Sequence, residues 1–348
     1  MREQMLLHSY SLVRNLLFRI DPEAAHDFVL SNLSQFQKLG LLKILMPKRV
    51  ECPRVVMGLR FPNPVGLAAG LDKNGEHLEA LATFGFGFIE VGTVTPRPQF
   101  GNPRPRMFRL PAAEALINRM GFNNQGVEAL VNRLKKVHFD GVLGVNIGKN
   151  RDTPIEQAAE DYQICLRQVY PYAGYVAINL SSPNTPNLRR LQNVDELSRL
   201  LGILRADQVR LSEGHGRVVP LVVKIAPDLS SSEIEDLANV ILREGTADGI
   251  VATNTSVARE GVAHLSHANE AGGLSGAPIA ERATNIVSQL RAVVGERIPI
   301  IGSGGILTAE DAQAKQAAGA ALVQIYTGLI YRGPALVPEV ARVLCCRE

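Results

Sequence analysis

Cysteine is scarce in this chain, and the four present, Cys52, Cys165, Cys345 and Cys346, contain no C-x-x-C pair. That excludes zinc or iron–sulfur ligation at the usual spacings and points to unpaired thiols in a reducing compartment. Cys345 and Cys346 read as an incidental terminal pair. None of the seven histidines stands in an H-E-x-x-H or similar arrangement, so no metal site is expected. No stretch offers the roughly 18 continuous apolar residues of a transmembrane helix. The apolar N-terminal run is broken by Arg14, Arg19 and Asp21 with no small-residue cleavage site after it, which excludes a secretory signal. Tryptophan is absent and aromatics make up 5%, yet 46% hydrophobic and 20% charged residues describe a soluble globular chain, not a disordered one. At 348 residues it holds one large α/β domain or two ordinary ones.

Charge imbalance is also missing from most of the chain. Residues 1–50 carry seven Lys/Arg against four acids, while the remaining 298 hold 30 of each sign. A balanced body argues against a nucleic-acid surface, and a basic, apolar N-terminus points to an anionic membrane face. Two amphipathic helices fit there. In the first, Leu6, Tyr10, Val13, Leu17 and Ile20 share one face and His8, Ser11, Asn15 and Arg19 another. The second opens with Asp21 as N-cap and Pro22 at its first position, and Gly40 marks its end. On pattern alone the pair reads equally as a terminal cap or as a membrane platform.

From residue 64 onward, eight short apolar runs alternate with helical patterns, starting at residues 64, 88, 142, 175, 220, 249, 298 and 321. Continuous apolar strands separated by helices imply a parallel sheet covered on both faces, and eight of them imply an α/β (β/α)8 barrel, a TIM barrel. An open doubly wound sheet is the alternative, weakened because no G-x-G-x-x-G follows the first strand.

The strand ends carry the chemistry. In order they bear Gly70 with Lys73, Thr93, Asn146, Asn179 with Ser182, Lys224, Thr253 with Asn254, Gly304 with Gly305, and Tyr326 with Thr327. In a barrel these ends converge on one mouth. The fourth, "NLSSPNTPNL" from Asn179, would alone be an ordinary turn. Convergence makes it part of a site. The "GSGG" and "YTG" loops, with Gly276, resemble the phosphate site of such barrels. Lys73 and Lys224, at the ends of buried strands, favour an anionic ligand, with a structural ion pair as the alternative.

"GLAAGLDKNG", "INRMGFNNQG", "GVNIGKN", "INLSSPNTP", "VKIAPDL", "ATNT", "GGLSG", "PIIGSGGI" and "VQIYTGLIYRGP" closely resemble the dihydroorotate dehydrogenases of the quinone-dependent class, from about His26 to the C-terminus. The resemblance implies FMN at the mouth, contacted by Ala69, Gly70, Leu71, Asp72, Lys73, Thr93, Asn146, Asn179, Lys224 and Thr253. Its phosphate would lie near Gly276, Gly305, Tyr326 and Thr327. Dihydroorotate would be bound by Lys73, by Asn118, Arg119, Met120, Gly121 and Phe122, and by Asn179, Asn184, Asn254 and Thr255. Asparagines suit a cyclic diamide, because a carboxamide both donates and accepts. Ser182 matches the family's base, Thr185 its relay and Phe122 its apolar wall. His26 and Arg109 match positions near the quinone head group.

These matches lead to a membrane-associating helical pair at residues 1–45 and an FMN-binding barrel at residues 46–348. The expected protein is peripheral, on the cytoplasmic face of a bacterial cell membrane. Its partners would be dihydroorotate, orotate, a membrane quinone and an anionic lipid surface, with no nucleic acid and no obligate protein partner. The soluble class of the same family is the nearest rival, and it carries Cys where Ser182 stands. A tRNA-dihydrouridine synthase type of FMN barrel is a further one, expected to add a basic RNA-binding module. A non-catalytic ligand-binding barrel would be expected to lack the base or Lys73.

Overall fold

The computed structural model describes residues 2–346, with the side chains of residues 2–9, 43 and 244 outside the described set. Three helices open the chain, α1 (Arg2–Leu17), α2 (Pro22–Lys38) and α3 (Leu41–Leu45). The start of α2 follows from its sequence: Asp21 Oδ1 accepts the N–H groups of Glu23 and Ala24 at 3.0 and 2.9 Å, and Pro22 needs no partner at the first position. Gly40, in the left-handed conformation, separates α2 from α3.

A hairpin of β1 (Arg54–Val56) and β2 (Leu59–Phe61) precedes the barrel. Then follow β3 (Val65–Leu67), α4 (Leu78–Ala82), β4 (Phe88–Val94), β5 (Met107–Leu110), β6 (Ala115–Asn118) and α5 (Val127–Leu134). The chain continues through β7 (Val142–Ile147), α6 (Ala158–Val169), β8 (Tyr175–Asn179), α7 (Val194–His215), β9 (Leu221–Ile225) and α8 (Ser231–Glu244). It ends with β10 (Gly249–Ala252), β11 (Gly273–Gly276), α9 (Ala280–Val294), β12 (Ile300–Ser303), α10 (Ala309–Ala317), β13 (Leu322–Ile325), α11 (Thr327–Arg332) and α12 (Leu336–Cys345).

Strands β3, β4, β7, β8, β9, β10, β12 and β13 are the eight expected runs, and they pair in parallel in that order until β13 meets β3 and closes the barrel. Inside, Phe61, Phe88, Val142, Tyr175, Val222, Val251, Ile301 and Leu322 pack into an apolar plug completed by the β1–β2 hairpin. Gly144 is glycine for close approach, since a Cβ there would lie 2.3 Å from the Tyr175 ring. Outside, helices shield the strands. Both α8 and α10 start with capping boxes, Ser230 with Glu233 and Thr308 with Asp311. Strands β5, β6 and β11 form a separate antiparallel sheet at the strands' C-terminal end.

Three expectations need correction. The helical pair is followed by α3, so three helices precede residue 46. The inward face of α1 also differs: Tyr10 and Arg14 donate to the carbonyls of Ile330 and Tyr331 at 2.7 and 2.8 Å, leaving Val13 exposed beside Leu12 and Leu16. Apolar residues lie on two sides of this helix, and the polar groups that find carbonyls at the end of α11 decide which side docks. Leu6 and His8 lie outside the described side chains. Finally, Cys52 and Cys345 form a disulfide with Cα atoms 5.9 Å apart, leaving Cys165 and Cys346 free. Spacing could not show this pair, because 293 residues separate two segments that meet only when the barrel closes. Denatured, unreduced protein should therefore titrate two thiols and reduced protein four; four before reduction would refute the bridge.

Candidate active site

A cavity enclosing about 980 Å3, part of it open to solvent, occupies the barrel mouth. Ala69, Gly70, Lys73, Thr93, Asn179, Lys224 and Thr253 line it from the strand ends, and Ser182, Asn184, Asn254 and Thr255 from two loops. Asn118, Met120, Gly121 and Phe122 reach it from the end of β6, and Gly276, Gly305, Tyr326 and Thr327 from its far end.

The "NLSSPNTPNL" loop is held by carboxamides. Asn179 donates to Thr93 Oγ1 at 2.9 Å and accepts from the Ser181 N–H at 3.2 Å. Asn254 Nδ2 donates to Ser181 Oγ at 2.9 Å, and Asn184 Nδ2 to the Asn118 carbonyl at 3.1 Å. Ser182 is 6% exposed, and its Oγ accepts the Asn184 N–H at 3.2 Å. The Thr185 hydroxyl is buried without a partner. Arg189 pins the loop from behind, donating to the carbonyls of Ser181 and Thr255 at 3.1 Å each and to Asp228 at 2.8 Å.

Lys73 Nζ donates to the Gly70 carbonyl at 2.8 Å. Burial, with Arg106 nearby, pushes its pKa down to about 8, so it remains a cation at neutral pH. Arg106 is itself buried and meets Glu23 of α2 at 2.6 Å. Burial alone would raise the Glu23 carboxyl, but Arg106 and Arg104 hold it below its usual range.

The far end suits a phosphate. Gly305 has φ +75° and a Cβ there would meet Ala280 Cα at 2.3 Å, so only glycine lets this loop lie against α9. In the floor, Gln324 donates to Glu90 at 2.7 Å, while its Oε1 is buried with no acceptor role filled. An isoalloxazine, carrying ring N–H and carbonyl groups, can satisfy that orphan acceptor, and Lys224 beside it is a cation for the carbonyl edge. The residues present thus fit a flavin mononucleotide.

Some expected residues stand elsewhere. Asn146 lies beneath the lining, accepting from Thr93 Oγ1 at 2.5 Å and donating to Glu90 at 2.8 Å. The Asp72 carboxylate binds the N–H groups of Glu76 and His77, and the Leu71 side chain faces other cavities. Arg119 turns away from the mouth to meet Glu270 at 2.6 Å and the Pro105 carbonyl at 2.8 Å. A motif match carries residue names, and neighbouring side chains on an extended backbone point opposite ways. Glu90 and Gln324 were missed, although each is a polar residue inside a run buried on both faces.

His26 and Arg109 line a second, mostly apolar cavity of about 820 Å3 between α1, α2 and the barrel. Burial, with Lys73 and His77 nearby, pushes His26 down to about 3, so its imidazole is neutral. The Arg109 guanidinium lies 4.6 Å from the Phe18 ring centre and donates to the Ile20 carbonyl at 2.7 Å. Tyr326 lines both cavities.

Comparison with known proteins agrees over nearly the full length of the chain. The profile of the family "Dihydroorotate dehydrogenase" matches residues 53–346. Proteins named dihydroorotate dehydrogenase (quinone) from Nitrosomonas eutropha and Cupriavidus pinatubonensis are 58% and 57% identical, each over 98% of this chain and 98% and 99% of their own. Crystal structures of DHODH from Eimeria tenella, one in complex with ferulenol and one ligand-free, superpose with TM-scores of 0.84 and 0.83 at 39% and 40% identity. Each covers 93% of this chain, and the matches span 90% and 94% of theirs. A closed eight-stranded barrel, a mouth lined by Ser182, Lys73 and paired asparagines, and near full-length relatives of one name establish that this chain belongs to the dihydroorotate dehydrogenase family, in its quinone-dependent branch.

Proposed function

We propose that the protein oxidises dihydroorotate to orotate in de novo pyrimidine synthesis, with FMN in the barrel mouth, and passes the electrons to a membrane quinone at the apolar cavity beside α1 and α2. The observation that carries this reading is the shared cavity: Ser182, Lys73 and the amides of Asn118, Asn179, Asn184 and Asn254 face the same space as Lys224 and Gly305. When bound, the flavin supplies the acceptor for the hydride from C6 of the substrate.

The chain's own groups do the rest. Lys73 meets the substrate carboxylate, and the amides orient the ring by donating to its carbonyls and accepting from its N–H groups. Ser182 removes the C5 proton. A serine is a weak base at neutral pH and needs a proton acceptor. Thr185, three residues further on, has a buried hydroxyl without a hydrogen-bond partner and is the group to relay that proton. Near-complete burial of Ser182 keeps bulk water from the reacting carbon. Lys224, which lines the same cavity, would stabilise the negative charge that a flavin held there gains on reduction.

The quinone reading rests on His26 and Arg109 sharing a cavity that abuts Tyr326, which also walls the mouth. On the same N-terminal helical segment, Leu12, Leu16, Phe28, Phe36, Leu39 and Ile44 are exposed apolar residues, and no described helix is long and apolar enough to cross a membrane. Such a face suits insertion into one leaflet, with exposed Arg19 and Lys38 toward anionic headgroups. Arg14 donates to the Tyr331 carbonyl at 2.8 Å and is partly exposed; the Lys43 side chain lies outside the described set.

Anaerobic mixing with dihydroorotate tests the reading directly: the yellow flavin should bleach, and released FMN should be recovered on denaturation. In the same experiment Ser182→Ala should bind orotate normally and bleach about a hundredfold more slowly or worse, as for loss of a general base. A near-normal rate would make Ser182 only the acceptor for the Asn184 N–H.

Above pH 8, Lys73 loses its charge and affinity for the anionic substrate should fall, while below pH 8 it should be level. Orotate titrations from pH 6 to 10 would show this, and Lys73→Met should bind weakly with no such break. A break that persists in the variant would assign it to another group.

Removing residues 1–20 should spare bleaching by dihydroorotate, because Glu23 still neutralises Arg106. It should weaken salt-sensitive binding to anionic vesicles and slow turnover with long-chain quinone, since Tyr10, Leu17 and Phe18 line that cavity. Unchanged turnover with long-chain quinone would refute the cavity's assignment.

A further inference from the structure

Beneath the mouth lies a charge that the reaction does not consume. Glu90 stands in the middle of β4, 1% exposed. Its Oε1 accepts from Asn146 Nδ2 at 2.8 Å, and its Oε2 accepts from Tyr175 Oη and Gln324 Nε2, both at 2.7 Å. Lys224 Nζ lies 3.8 Å from Oε1. The described titratable groups facing it are therefore Tyr175 from β8 and Lys224 from β9, while β7 and β13 contribute neutral amides. Burial and the Glu90 charge hold the Tyr175 phenol well above its ordinary pKa, so it stays a donor.

This arrangement is built into the barrel. Glu90 pairs in register with Gly144, whose missing side chain admits the Tyr175 ring that delivers the phenol to Glu90. Stability does not explain it, because a buried ion pair is often no better than apolar residues of the same volume. The plug immediately below shows that this barrel can be filled apolarly. What the carboxylate does have is position. Lys224 and Gln324 line the cavity above, and Asn146 holds Thr93 and Asn179 of its wall.

We propose that Glu90 is a positioning residue that holds Lys224 and Asn146 beneath the cofactor and, as the counter-charge to Lys224, lowers the reduction potential of the bound flavin. The inference rests on the flavin reading above. Reduction places negative charge near the carbonyl edge, where the Lys224 ammonium favours it. A carboxylate behind that ammonium opposes part of the gain, and the effect is large where water is excluded. The consequence is a flavin reducible by substrate that still gives its electrons up to quinone.

The test is redox titration of the purified holoenzyme, with its visible spectrum recorded throughout. Glu90→Gln should bind flavin, show a midpoint potential above wild type from pH 6 to 8, and be more completely reduced at a fixed ratio of dihydroorotate to orotate. Reoxidation by quinone should slow. Tyr175→Phe removes one donor but keeps the charge, and its potential should stay close to wild type. If Glu90→Gln does not fold, Glu90→Asp, which draws the charge back by one methylene, should move the potential the same way by less. A flavin-bearing Glu90→Gln or Glu90→Asp protein with the wild-type potential would overturn the role of Glu90, as would a shift in Tyr175→Phe as large as that from losing the charge. A wild-type protein without flavin would instead overturn the cofactor reading.

Discussion

Closure of the barrel by the β13–β3 pairing is the constraint on which the rest depends. It removes both sheet edges and brings eight strand ends to one rim, so residues as distant in sequence as Gly70 and Tyr326 line a single cavity side by side, the Tyr326 hydroxyl donating to the Gly70 carbonyl at 3.5 Å. It also divides the interior into layers. Apolar side chains and the β1–β2 hairpin fill the lower part, and the polar layer lies above that plug. The same closure joins Cys52 to Cys345 beneath the barrel.

Within this frame the site is governed by three buried or half-buried cations, each treated differently. Arg106 is neutralised by Glu23, and Lys224 has Glu90 at 3.8 Å. Lys73 has only the Gly70 carbonyl within hydrogen-bond reach among its described contacts, and burial lowers its pKa. A cation without a close counter-charge is what an anionic substrate completes. Glu23 belongs to α2, so the N-terminal helices are not a detachable anchor. One of them supplies the counter-charge for an arginine whose other donors hold the carbonyls of Phe100 and Asn102 at 2.6 and 2.9 Å.

The barrel was legible because parallel strands buried on both faces are continuous apolar runs, and all eight occur where those runs stand. The mouth was legible because polar residues cluster at strand ends, and Lys73, Thr93, Asn179, Ser182, Lys224 and Thr253 do line one cavity. Side-chain direction was not legible. Arg119 sits inside a matching motif yet points to Glu270, and Asn146 supports the wall from beneath without lining it. Pairings over long separations were hidden too: the Cys52 bridge and the docking of Arg14 on Tyr331 depend on contacts that exist only after folding. Glu90 left a signal, a lone carboxylate in "FIEVGTV", but one charge in a run does not say whether it is paired.

Two cavities that share a wall impose a division of labour. The mouth is polar, with amides and lysines of the chemistry that suits a charged diamide, whereas the neighbouring cavity is mostly apolar apart from His26, Arg109 and the tyrosines Tyr10 and Tyr326. On the proposed reading a polar substrate and an apolar acceptor would occupy separate cavities that share the Tyr326 wall. Electrons would then cross that wall through a cofactor bound against it. The first half-reaction would be set by the amides and Ser182 and the second by the cavity beside α1 and α2. The one setting the two would share is the affinity of the flavin for its electrons, and the polar layer beneath the mouth, where Glu90 faces Lys224, is where the proposed role of Glu90 would act.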